Sequence, residues 1–93
     1  MDSIIDEFTV RDCDVASFSL WDAKAKKVNI VNSKFGVVQN EGLLASEFIL
    51  HNVTFLVETD FNRSQADATE LFKVIFAPTA TLDATGSNIP FQQ

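Results

Sequence analysis

A chain of 93 residues with 13 acidic side chains against seven Lys and Arg, a net charge of -6, has room for one core and is repelled by phosphate backbones and anionic membranes. At 46% hydrophobic and 22% charged residues, with three Gly and two Pro, it is too apolar and too poor in breakers to be a disordered or linker-rich chain. The expectation is a single small domain over residues 1–93, acidic, with neither nucleic acid nor membrane as partner.

The first predicted strand runs from about Ile4 to Cys13, with Phe8 and Val10 on one side and Thr9 and Arg11 on the other. Val15 to Trp21 continues it beyond a kink at Asp12 and Asp14, residues that suit a break. A Lys-rich turn over Asp22 to Lys27 leads to Val28, Ile30, Phe35 and Val37, whose inward phase shifts at Asn32-Ser33 as a bulge requires. Asn40-Glu41-Gly42 marks the next turn. Glu47 to Phe61 is the clearest strand, with Ile49, Val53, Phe55, Val57 and Phe61 on one face and Phe48, Leu50 and Leu56 on the other.

Asp60 to Ala68 reads as a polar connection, and the apolar run through Leu71, Phe72, Val74, Ile75 and Phe76 ends at Pro78. Ser64-Gln65-Ala66-Asp67 has the form of a helix start, so residues 65–72 are open to two readings, a short helix or the beginning of a strand. As a strand, the run forms a long hairpin with Glu47 to Phe61. Residues 87–93 read as a frayed tail. No internal repeat is evident. The predicted fold is mainly β, or α+β with one short helix: a single antiparallel sheet of about four to five strands, completed by oligomerisation.

The chemistry-bearing residues are few. Cys13, the one cysteine, excludes an intrachain disulfide and stands between Asp12 and Asp14, whose charge opposes the thiolate a nucleophile needs. His51, the one histidine, reads as a core or interface residue on the apolar face of the strongest strand. One His and one Cys do not make a common zinc site, the acids lack calcium-loop spacing, and Gly36, Gly42 and Gly86 form no phosphate loop. No metal, no cofactor and no enzymatic activity are expected; a minimal hydrolase on Cys13 and His51 is the last alternative. Met1 to Glu7 has neither the basic nor the apolar region of a secretion signal, and no stretch approaches about 18 apolar residues, so the expected compartment is cytoplasmic.

Nine Phe and one Trp exceed what a thin sheet buries on one side. The surplus predicts an interface with an identical chain, giving a homo-oligomer, or with a protein or extended peptide. The candidate partner-binding residues are Trp21, Phe48, Leu50 and Leu56. A small phage or mobile-element protein that caps one specific partner is the competing expectation.

Phe72-x-Val74-x-Phe76, followed by Ala80-x-Leu82 and Gly86, resembles the strand pattern of the SecB-like export chaperones. Phe48 to Thr59 resembles that family's long alternating strand, and Phe8-Thr9-Val10-Arg11-Asp12 its first strand and following aspartate, so the likeness spans about residues 5 to 86. Where that family continues into helices, this chain has Ser87-Asn88-Ile89-Pro90-Phe91. The resemblance implies a cytoplasmic, non-enzymatic oligomer that holds extended polypeptide against aromatic and aliphatic side chains.

Overall fold

The computed structural model describes residues 4–91, and among them there are six β-strands and no helix. These are β1 (Ile4–Arg11), β2 (Asp14–Ser19), β3 (Lys24–Gln39), β4 (Leu44–Asp60), β5 (Gln65–Phe76) and β6 (Thr81–Asp83). Every pairing is parallel. The order is β1-β3-β4-β5, with β2 also on β3 and β6 also on β4. Ile4 lies beside Lys24, Lys24 beside Leu44, and Leu44 beside Gln65. The chain therefore meets itself one circuit later, as a β-solenoid of about four turns.

This corrects the antiparallel sheet expected from the sequence, and with it the hairpin of Glu47 to Phe61. Parallel strands usually need a long crossover. A solenoid avoids that need by spreading the return path around the perimeter, so that each turn advances by one strand spacing and pairs with the turn before. The short helix is also absent, since Gln65 to Phe76 is strand β5, paired along β4. Good local helix propensity loses there to a ladder of backbone hydrogen bonds with a partner already in place.

The inward positions explain why periodicity misled. Between Val28 and Phe55 the buried residues are Val28, Ile30, Ser33, Phe35, Val38, Asn40, Leu43, Ala45, Phe48, Leu50, Val53 and Phe55. The step is two along a straight side and three across a corner, so a strict period of two slips at every corner. Phe48 and Leu50, expected opposite Val53 and Phe55, point into the same core. Ile49 and Val57, expected beside Val53, lie outside it.

The corners carry the residues that tolerate positive φ. Asp12, Asn32, Asn52 and Lys73 stack at one corner with φ between 51° and 58°; Asp22, Gly42, Arg63 and Gly86 stack at another with φ between 53° and 76°. Asp, Asn and Gly accept this left-handed conformation at least cost. Asn52 Nδ2 donates to Asn32 Oδ1 at 2.9 Å, so the side chains of the first corner add a bond between turns. At a third corner, Leu56 and Val57 together oppose Gly36, a bulge that pushes both side chains outward. A Cβ on Gly36 would come within 2.6 Å of the Ala16 carbonyl oxygen, so only glycine fits this approach of the first turn.

The C-terminal end of the core is covered in part by the chain itself, with Leu71, Val74 and Phe76 still half-buried. The Ala66 N–H donates to the Asn88 side-chain carbonyl at 2.9 Å and the Asn88 amide donates to the Ala66 carbonyl at 2.8 Å, standing in for a further strand. In the segment expected to fray, Ile89 is buried and the Phe91 ring meets Phe48, Phe55, Phe61 and Phe76.

Candidate binding surface at the N-terminal end

The structure separates the four candidate partner-binding residues. Phe48 and Leu50 are fully buried in the third turn, where they face Val28 and Ile30 across the ladder. Trp21 is 60% exposed at a corner of the first turn, and Leu56 is 41% exposed at the bulge of the third. The aromatic surplus is mostly absorbed inside: Phe35, Phe48, Phe55 and Phe61 are buried, and Phe8, Phe18, Phe76 and Phe91 pack against them. A solenoid encloses its core around the whole perimeter, which a thin sheet cannot do.

Cys13 and His51 are not brought together. Cys13 belongs to the first turn, where its thiol donates to the Arg11 carbonyl at 3.2 Å. His51 belongs to the third, about 10 Å away along the stack at the usual strand spacing. Its Nε2 is held by the Glu70 carboxylate, and its ring meets Phe72 edge-on at 6.0 Å. The histidine thus sits on the outer face, in a ladder with Val31 and Phe72, rather than on the core face. Among the described residues no three His, Cys, Asp or Glu side chains are grouped to hold a metal ion. None of these residues lies in a helix, and so no helix is long and apolar enough to cross a membrane.

The first turn differs from the two after it. Its inward residues Ile5, Phe8, Val10, Val15, Phe18 and Leu20 are half-buried, whereas their counterparts Ala25, Val28, Ile30, Phe35 and Val38 are at most 6% exposed. Phe8 and Phe18 stack at 5.1 Å across the lumen, and Phe18 meets Phe35 below it at 5.3 Å. Together they make an apolar floor with no layer above it among the described residues.

β1 and β2 each pair with β3 alone, so the peptide groups along their other edges have no strand partner among the described residues. Such an edge is a template for another strand. Around the floor stand Asp6, Glu7, Asp12 and Asp14, all exposed, with Arg11 the one cation that the described part of the first turn itself carries. The sequence held a signal for this arrangement: Phe8, Val28 and Phe48, or Val15, Phe35 and Phe55, recur at the spacing of one turn, as do the corner residues Asp12, Asn32 and Asn52. The expectation that the chain has no internal repeat is therefore corrected. Searches against protein-family models, curated proteins and solved structures found no match to the chain.

Proposed function

We propose that the protein is a non-enzymatic polypeptide-binding module that takes an extended segment as an added strand on the N-terminal end of the solenoid. The observation that carries this reading is the asymmetry of the two ends. Asn88, Ile89 and Phe91 lie over part of the C-terminal end, where Leu71, Val74 and Phe76 stay half-buried, while no described residue lies over Ile5, Phe8, Val10, Val15, Phe18 and Leu20 at the other end. An added strand would satisfy the free peptide groups of β1 and bury the half-exposed rings, which combines main-chain affinity with side-chain selection.

The site differs from the one the sequence suggested, because Phe48 and Leu50 belong to the core and Trp21 and Leu56 stand at separate corners. The test is fluorescence anisotropy with labelled peptides of alternating apolar residues, on the full chain and on Phe8→Ala and Phe18→Ala variants checked for fold by circular dichroism. Micromolar binding that weakens fivefold or more in folded variants supports the reading. It is overturned if no peptide binds, or if binding survives both variants and is lost instead in Trp21→Ala or Leu56→Ala.

A further inference from the structure

The first three turns alternate in charge. The first turn, residues 4–23, carries Asp6, Glu7, Asp12, Asp14 and Asp22 against Arg11 alone, while the second, residues 24–43, carries Lys24, Lys26, Lys27 and Lys34 against Glu41 alone. This alternation follows the ladders of the fold. Glu7, Lys27 and Glu47 stand in register in three successive turns, Asp14 lies beside Lys34, and Lys26 Nζ is 3.5 Å from Asp6 Oδ1.

In a parallel stack, side chains at the same position of adjacent turns are about one strand spacing apart, so opposite charges attract and like charges repel. The acidic first turn has this complementary layer on one side only. Its other side is the apolar floor, with no layer over it among the described residues.

We infer that the N-terminal end selects a basic extended polypeptide, with lysine or arginine placed to lie over Asp6, Glu7 and Asp14 and apolar residues stepping inward over Phe8, Val10 and Val15. The inference rests on the strand-accepting reading and names its partner. The second turn is the internal template: Lys26 and Lys27 precede Val28 and Ile30, and Lys34 precedes Phe35, so basic residues sit over the acids while apolar ones close the core.

A second copy is the wrong occupant on charge. Two N-terminal ends face to face set the same carboxylates against one another. An N-terminal end on a C-terminal one sets them against a fourth turn that bears Asp67, Glu70 and Asp83 with Lys73, and whose core Phe91 already covers in part. The bound chain therefore remains a monomer with one peptide.

The experiment uses the full chain and three synthetic peptides: the sequence Lys24–Gln39, the same with its four lysines replaced by Gln, and the same with Glu. Exposed pairs contribute little singly, so three of them acting together are expected to give the Lys peptide about tenfold tighter binding than the Glu peptide at low ionic strength. That gap narrows in molar salt, where the screening length falls to about 3 Å. Glu7→Gln and Asp14→Asn are each expected to weaken the Lys peptide two- to fivefold and to leave the Gln peptide unchanged.

Equal affinity for all three peptides overturns the charge selection while leaving the strand-accepting reading standing. Failure of all three to bind overturns both. A dimer, seen by light scattering, that the Lys peptide does not dissociate overturns the basic partner in favour of a second copy.

Discussion

Replacing Phe91 by Ala removes the ring that meets Phe61 at 4.8 Å, Phe48 at 6.2 Å, and Phe55 and Phe76 each at 6.3 Å. A Phe→Ala change in a core costs about 3 to 5 kcal/mol. Phe91 is only half-buried, so roughly half of that applies, and its ring contacts add about 0.5 kcal/mol each in favourable geometry. Counting only the close contact with Phe61, the others lying at 6.2 Å or beyond, the expected loss is about 2 to 3 kcal/mol, or roughly 10 to 20 °C in Tm for a chain of this length. Urea denaturation followed by circular dichroism reads the loss. An apolar dye, bound more strongly by the variant, reports the uncovered Phe48, Phe55 and Phe61. Phe72→Ala is the control, because Phe72 is 58% exposed on the outer face and its loss is worth less than about 0.5 kcal/mol. Equal losses from the two substitutions, or a Phe91 loss below about 0.5 kcal/mol with no added dye binding, would refute the reasoning that this ring closes the core.

Thr59 Oγ1 is buried without a hydrogen-bond partner, so Thr59→Val, which keeps the shape, should raise stability by about 1 kcal/mol in the same urea titration; a loss of that size would mean the hydroxyl is bonded in solution. Lys73 holds a φ of 54° at the corner that Asp12, Asn32 and Asn52 share. Lys73→Asn should stabilise by about 0.5 to 1 kcal/mol, read as an upward shift in thermal midpoint, and an unchanged or lower midpoint would count against corner strain. The hydroxyl of Thr85, the amide of Asn62 and the Thr85 N–H hold the Asp83 carboxyl below its ordinary value of 3.8. A depressed carboxyl favours the fold when ionised, so its contribution is present above the ordinary value and is lost as pH falls through the lowered one. Denaturation midpoints of wild type and Asp83→Asn should therefore differ near neutral pH and converge in acid; a constant gap would show that Asp83 is not the titrating group.

The existence of strands was legible because β-branched and aromatic residues dominate the runs around Phe8, Val28, Val53 and Val74. Their arrangement was not, because local alternation says nothing about which strand is the neighbour. Phe48, Leu50, Val53 and Phe55 look like two opposed faces under a period of two, and only the corner at Asn52, with its positive φ, turns them to the same side. The long-range pattern was the better guide. Asp12, Asn32 and Asn52, with Asp22 and Gly42, mark corners at one constant spacing, but the third and fourth turns blur it, where Arg63 and Lys73 stand at corner positions and the bulge at Leu56 and Val57 lengthens the circuit.

For the site, Trp21 and Leu56 are exposed at separate corners, and the apolar rim was hidden in what read as ordinary strand interior. Phe8, Val10 and Phe18 have the same residue types as core positions, and only their place in the terminal turn leaves them half-buried. His51 was drawn to the core by Ile49 and Val53, which share its face under a period of two, although a corner lies between it and Val53.

Amide hydrogen exchange at residue resolution, on the free protein and with a saturating peptide of sequence Lys24–Gln39, tests the strand-accepting end most directly. In the free protein the amides of β3 and β4, flanked on both sides, are predicted to exchange slowly and those on the outer edges of β1 and β2 quickly. Peptide should bring new protection to β1 and β2 and none to β5. Protection confined to β5, or unchanged exchange in β1 while the peptide is bound, would contradict the account.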